Sequence, residues 1–345
     1  MLGVMPCDTR PMAPRPFPRP LKTLSWSKVF SYDNCPACFY KADIEGRPTP
    51  VRAILALGSG VHAAVETARR ALIAGREVSP EECETRAFEV LAKELSRAGD
   101  RGIDLQKFES PQAVEDRMQS VIEVALRDIV PNDQLNGQVL LSTEGTLDFE
   151  HVFDFAFGGK FDALVGLKEE GQVEPVLYMV KDLKTAGADT EGVSSDQLQQ
   201  LTTYALPFAA PGMALPYLAI ERITTTLHPT ARRFIAKPTV DQMAAVKEKI
   251  EAVAEDIMAG RFPERPGRMC DFFEEHRLPT QLAFPPVRLS PEPAVAPKRT
   301  KATAPKEVEG ESEAARPLVA DAPGDAVAPE ARRSRKARTL TPFGA

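Results

Sequence analysis

Val176-Leu177-Tyr178-Met179-Val180-Lys181-Asp182-Leu183-Lys184-Thr185 is an apolar, strand-like run that ends in charge. Asp182 and Lys184 stand two apart, so on a strand both project from one face while Leu183 points to the other. A carboxylate and an ammonium at the end of a buried strand are costly to desolvate, and chains seldom place them there without a use. The plainer alternative is a surface ion pair on an edge strand, which would be weakly constrained. Twenty residues upstream, Gly159-Lys160-Phe161-Asp162-Ala163-Leu164 reads as a second strand with a second carboxylate. The pattern predicts a fold that gathers Asp162, Asp182 and Lys184 around one divalent metal ion.

Working outward, the period of the apolar residues changes twice. Before the two strands the pattern is helical. Gly58-Ser59-Gly60-Val61-His62 opens a helix to about Ala74, with Val61, Val65, Ala68 and Leu72 on one stripe. His62 and Glu66 share a face four residues apart. Ser79-Pro80-Glu81-Glu82 and Ser110-Pro111 open two further helices, to about Ser96 and Ile129. A short helix capped by Ser25 or Ser27 should run through Tyr32. From there on, residues 139–145, 152–157, 161–167, 176–184, 215–225 and 232–236 read as strands. Gly158-Gly159 marks a bend or bulge just before Asp162. Helices are expected at Asp196 to Ala210 and, behind a Thr239-Val240-Asp241-Gln242 capping box, to about Met258. The fold class is therefore α/β. A central mixed sheet over about 138–236 is flanked by helices and preceded by a helical segment over about 58–130. Glu144, on an early strand, reads as structural, and Glu66 as solvated.

The ends differ in composition from this core. Residues 1–20 hold Pro11, Pro14, Pro16, Pro18 and Pro20 and read as a disordered Pro-rich arm. Residues 285–345 are rich in Pro, Ala, Lys and Glu with few large apolar residues. Such a tail cannot bury enough surface to offset chain entropy and should be disordered. It closes on the basic run Arg332-Arg333-Ser334-Arg335-Lys336-Ala337-Arg338. One domain over 21–284 is what remains.

Of the 345 residues, 43% are hydrophobic and 27% charged, as in a soluble globular protein. A net charge of −6 gives no global pull toward nucleic acid, so any such contact must come from a local patch. No apolar run approaches the roughly 20 residues that span a membrane. The first twenty residues carry no apolar core of a secretory signal. Five dispersed cysteines (Cys7, Cys35, Cys38, Cys83 and Cys270) suggest reduced thiols and a cytoplasmic location.

The order of motifs resembles the PD-(D/E)XK nuclease superfamily and, within it, the RecB-like nuclease domains. The resemblance is carried by Ser25-Trp26-Ser27 with Cys35-Pro36, Gly58-x-x-x-His62, Gly159-Lys160-Phe161-Asp162-Ala163, Asp182-x-Lys184-Thr185 and Gln200-x-x-x-Tyr204. Arg261-Phe262-Pro263 and Cys270 resemble the family's C-terminal close. It implies a restriction-endonuclease-like core and a metal-dependent DNA nuclease, an exonuclease or end-processing enzyme in recombination, repair or phage replication. Asp162, Asp182, the Leu183 backbone carbonyl and His62 would hold Mg²⁺ or Mn²⁺. Lys184 would orient or deprotonate the attacking water, and Gln200 and Tyr204 would support Lys184 and the DNA backbone. Such chemistry needs these groups because a phosphodiester is anionic, so the enzyme must both neutralise charge and supply a nucleophile.

Departures from the family pattern narrow this. Many RecB-like members hold an iron–sulfur cluster with one Cys before the core and three after it. Only Cys270 follows the core here, so no such cluster is expected. Cys35-x-x-Cys38 with Cys270 and His276 fits no standard zinc spacing, and Cys35 reads as packed internally. No Gly-x-x-x-x-Gly-Lys-Ser/Thr loop marks a helicase, so any motor or recombination partner would be a separate chain. Arg52, Arg69, Arg70, Arg232, Arg233 and Lys237 are the candidate phosphate contacts, each weighed against a solvated charge. Two other readings stay open: a non-catalytic nucleic-acid-binding or assembly subunit on the same fold, and a sequence-specific endonuclease.

Overall fold

In the computed structural model, the structure describes residues 16–264 apart from 50, 100–101, 106, 135–136, 169–174, 176 and 210–213. The expected tail, the start of the Pro-rich arm, Cys270 and His276 lie outside the described residues.

Strand β1 (Leu24–Ser25) leads into helices α1 (Trp26–Asn34) and α2 (Pro36–Phe39). Next come β2 (Val51–Arg52), α3 (Ala53–Ile73), α4 (Pro80–Ser96), β3 (Ile103–Asp104) and α5 (Pro111–Asp128). The main strands follow: β4 (Gln138–Leu147), β5 (Phe157–Leu167) and β6 (Leu177–Ala186). Helix α6 (Ser195–Ala205), β7 (Tyr217–Thr224), β8 (Ala231–Ala236) and α7 (Val240–Met258) complete the chain order. The sheet runs β1-β5-β6-β7-β8, with β4 also paired to β5. Only β1–β5 and β6–β7 are parallel in it, so the sheet is mixed as expected.

Two apolar layers cover the sheet. Val180, Leu218 and Ile220 face α1, α6 and α7 through Trp26, Tyr204, Ile250 and Val253. Leu183 and Ile223 face α3, α4 and α5 through Leu57, Val61, Met118 and Ile122. Alternation along β6 thus sends neighbouring residues into different layers. At the chain's late end, the Phe262 ring lies 4.9 Å from that of Tyr40, and the Tyr32 hydroxyl donates to the Arg261 carbonyl at 2.5 Å. Among the described residues no helix is long and apolar enough to cross a membrane.

Several helix caps form as their sequences predict. Ser79 and Ser110 accept the N–H of Glu82 and Ala113, and Thr239 and Gln242 close a full capping box. Three expectations are corrected. Residues 152–156 form no separate strand; a turn closed by Val152 N–H and Phe153 N–H on the Phe149 carbonyl leads into β5, and Phe149, Phe153 and Phe155 bury with Phe157, the first residue of that strand. Helix α3 starts at Ala53, not Gly58. The register break also lies in β4, between Leu140 and Ser142, not at Gly158-Gly159. Gly159 is needed for space: a Cβ there would stand 2.9 Å from the Phe149 ring.

Candidate active site

The site is a fork in the sheet. Strands β5 and β6 are paired from Leu167↔Leu177 to Ala163↔Lys181, where their ladder ends. Strand β6 stays paired with β7 through Ala186↔Thr224, so Asp182 and Lys184 lie on an interior strand and are no edge-strand surface pair. At the fork Asp162 replaces the missing ladder bond: its Oδ2 accepts the Leu183 N–H at 2.5 Å. Thr143 Oγ1 donates to the Asp162 carbonyl at 3.0 Å and fixes the backbone behind it. Asp182 is 4% exposed, and its Oδ2 lies 2.8 Å from Lys184 Nζ. That contact attracts by charge, but its angle makes no hydrogen bond, so Asp182 Oδ2 keeps an uncommitted buried lone pair.

Close packing of α3 supplies the histidine. A Cβ at Gly58 would stand 2.9 Å from Thr185 Oγ1, and one at Gly60 would stand 2.4 Å from Met118 Sδ. Two glycines therefore let α3 lie against the end of β6 and against α5. One turn beyond Gly58, His62 then reaches Asp162, with Nδ1 3.2 Å from Oδ1. The spacing Gly58-x-x-x-His62 has a plain physical basis: contact first, then reach.

Glu144 completes this side of the fork. It lies on β4 between the paired positions Thr143↔Ala163 and Gly145↔Phe161, which puts it opposite Asp162. Its φ is 53°, in the left-handed region. Donor atoms of His62, Glu144 and Asp162 all lie within 4.8 Å of one another. Sequence alone assigned Glu144 to structure, since only the strand register brings it to Asp162.

Crowded carboxylates set the electrostatics. Burial, with the Asp162 charge adding to it and Lys184 opposing, pushes the Asp182 carboxyl up to about 6. Burial and the charges of Asp162 and Glu66 push Glu144 up to about 7. Asp162 moves the other way: burial would raise it, but His62 and the Leu183 N–H outweigh that and hold it below the usual carboxylate range. For His62, burial opposes the charged ring, yet Asp162 and Asp182 prevail and raise it. Carboxylates that resist ionising together, and an orphaned buried oxygen among them, are the donor set a hard divalent cation fits. His62, Glu144 and Asp162 could hold one; Asp182 stands outside that group of three, though within its field, and an imidazole ligand would favour tolerance of Mn²⁺.

Two separate clefts flank strands β4 and β5. One of about 600 Å³ is lined by His62, Glu66, Glu144, Asp162, Lys184 and Thr185. A second, of about 380 Å³, is lined by Ser25, Trp26, Lys160, Gln200 and Tyr204 among others. Gln200 Nε2 donates to the Tyr204 hydroxyl at 2.8 Å, and both line the second cleft, whereas Lys184 lines the first. Burial, then the Asp182 charge, raises the Tyr204 phenol, so the pair still sits within the site's field.

The basic candidates fare unevenly. Arg69 is 1% exposed and bound to Asp133 and Glu221, so it is neither solvated nor open to a phosphate. Arg233 is tied to Glu221, Arg232 to Asp189 and Arg70 to Glu66. Lys237 lies over the Tyr217 ring. Cys35 and Cys38 are buried, as the internal-packing reading required.

A crystal structure of a candidate exonuclease from Eubacterium rectale is similar at 15% identity and a TM-score of 0.44, covering 76% of this chain and 90% of that one. The solved protein SSO0001 is similar at 16% identity and a TM-score of 0.29, over 61% of this chain and 82% of its own. No curated protein matches the chain. The family model of the PD-(D/E)XK nuclease superfamily matches residues 23–272, which takes in every element from the start of the sheet to α7. The chain belongs to the PD-(D/E)XK nuclease superfamily.

Proposed function

We propose that this protein is a RecB-like DNA nuclease that hydrolyses phosphodiester bonds with Mg²⁺ or Mn²⁺, acting as an exonuclease or end-processing enzyme in recombination, repair or phage replication. The observation that carries the reading is the surplus of buried carboxylate at the fork, with Lys184 2.8 Å from Asp182 and open to the large cleft. Asp162, Asp182, the Leu183 carbonyl and His62 would hold the ion. When bound, the ion supplies Lewis-acid charge and a more acidic water.

Each residue has a task. Asp162 links α3 to β6 through its two oxygens, on His62 and on the Leu183 N–H, so the ligands are set before substrate arrives. Lys184 is only partly buried, so its ammonium can leave Asp182 to orient the nucleophilic water and to offset charge on the phosphoryl oxygens. Gln200 and Tyr204 steady the strand in the second cleft. The domain that does this is taken as residues 21–284.

Purified protein would be incubated with end-labelled single- and double-stranded DNA, with Mg²⁺, Mn²⁺ or chelator, beside Lys184→Ala and Asp182→Ala. Cleavage is expected with either metal and in neither variant. No cleavage under any condition points to a non-catalytic binding subunit. Cleavage unchanged in both variants removes the proposed site, and fixed internal products point to an endonuclease.

A further inference from the structure

We propose that Glu144 is itself a ligand of the divalent ion, forming with His62 and Asp162 a donor face beside the Asp182–Lys184 pair. The inference rests on the nuclease reading only in taking that ion to be the one the reaction uses.

Three independent features of the backbone lead to it. Glu144 and Asp162 are cross-strand neighbours on paired antiparallel strands. Like charges placed directly opposite one another destabilise a sheet, so the pair calls for a cation. Next, Glu144 holds a left-handed backbone, which a side chain other than glycine rarely takes without a compensating role. Its neighbour Gly145 pairs with Phe161 across the ladder and makes room for that ring, since a Cβ there would lie 2.1 Å from it. Last, α3 brings the His62 nitrogen over the same two carboxylates. With all three donor atoms within 4.8 Å of one another, a point among them lies at most about 2.8 Å from each. Small side-chain shifts close that to the roughly 2.0–2.6 Å of ion–ligand bonds.

Glu66 is the rival carboxylate, because it lies one turn beyond His62 and lines the same cleft. It is already paired with Arg70 on its own helix, and its backbone is regular. Glu144 forms no ion pair with any cation among the described residues, apart from the charge of His62 itself.

The test is Mn²⁺ binding by the full chain without DNA, followed by calorimetry and by electron paramagnetic resonance of free Mn²⁺. Wild type, Glu144→Gln, Glu144→Gly and Glu66→Gln would be compared, with thermal melts confirming that each is folded. Glu144→Gln is expected to weaken Mn²⁺ affinity by about tenfold or more. Glu144→Gly should weaken it as much while raising the metal-free Tm, because glycine takes this backbone conformation without strain. Wild-type affinity in Glu144→Gln, or a loss no larger than in Glu66→Gln, would overturn the assignment. Mn²⁺ binding that depends on Glu144 in a protein that cleaves no DNA would instead overturn the nuclease reading and leave the ligand in place.

Discussion

Lys181 and Asp182 are consecutive on β6, both buried, and they enter opposite kinds of charge cluster. On one face Lys181 lies 2.7 Å from Asp133 and 3.4 Å from Glu221. Arg69 binds both of those carboxylates, at 2.8 and 2.5 Å, and Arg233 reaches Glu221 at 3.1 Å. Three cations meet two carboxylates, and every carboxylate oxygen has a partner, although the Arg233 Nε has none. On the other face Glu144, Asp162 and Asp182 meet Lys184 and a histidine, and one buried oxygen of Asp182 lacks a hydrogen bond. The two aspartates record the difference. Burial would raise Asp133, but Arg69 and Lys181 outweigh it and hold it low, whereas Asp182 is pushed up to about 6. Burying charge is the same physical problem on both faces. One cluster satisfies its carboxylates internally and reads as structure. The other leaves a buried carboxylate oxygen without a hydrogen bond, and the proposed ion site rests on that difference.

The largest effects should separate the two faces by kind. Glu221→Ala strands Arg69 and Lys181 in the interior, which is expected to cost about 3–5 kcal/mol of stability. At roughly 2–4 °C per kcal/mol, its Tm should fall by about 10 °C. A loss under about 1 kcal/mol in denaturant titration would show that the closed cluster is not structural. Asp182→Asn should do the reverse. Nuclease activity should drop about a thousandfold, about 4 kcal/mol of transition-state stabilisation. The metal-free fold should be no less stable, because a carboxylate that resists ionising is gone. A Tm loss matching that of Glu221→Ala would erase the distinction.

Sequence periodicity exposed one of these clusters far better than the other. Asp162, Asp182 and Lys184 stood out because strand alternation fixes which residues share a face, and His62 because Gly58-x-x-x-His62 resembles the family's motif. Arg69 was not, because nothing local distinguishes a buried guanidinium from a solvated one. Its burial depends on Asp133 and Glu221, which lie 64 and 152 residues away. Glu144 failed for a related reason: it meets Asp162 only through the register of β4 on β5. The alternation of Phe153 and Phe155 misled, since both rings bury beside Phe157 in the turn and lead-in that precede β5. Gly58 and Gly60 were read as opening a helix, whereas they lie inside α3 and make room for neighbours.

A smaller effect tests the open face through pH. Glu144 near 7 and Asp182 near 6 both titrate above their ordinary range, and His62 is raised as well. Raised groups contribute stability that is complete below their unfolded values and lost as pH climbs through the folded ones. Metal-free protein should therefore melt a few degrees lower at pH 8 than at pH 5.5, at about 2–4 °C per kcal/mol. Asp162 is shifted downward and acts only at more acid pH. Mn²⁺ should reverse the trend, because it favours the ionised carboxylates. Glu144→Gln and Asp182→Asn should each flatten the metal-free slope. A slope unchanged in both would place its origin outside the fork.

The smallest expected effect concerns Tyr204, on the Asp182 face but in the second cleft. Tyr204→Phe removes the acceptor of the 2.8 Å bond from Gln200, a neutral hydrogen bond worth about 1 kcal/mol. If Tyr204 serves only to hold α6, the loss should appear as a Tm lower by roughly 2–4 °C, with KM and kcat unchanged. The cleft geometry favours a different outcome. The hydroxyl borders the cleft lined by Trp26 and Lys160, away from the carboxylates, so its loss should fall on substrate binding. KM for DNA should then rise about fivefold at constant kcat, the same 1 kcal/mol read in binding. A drop in kcat without a change in KM would instead move Tyr204 from the strand path to Lys184, and the open face would extend one residue further than the carboxylates define it.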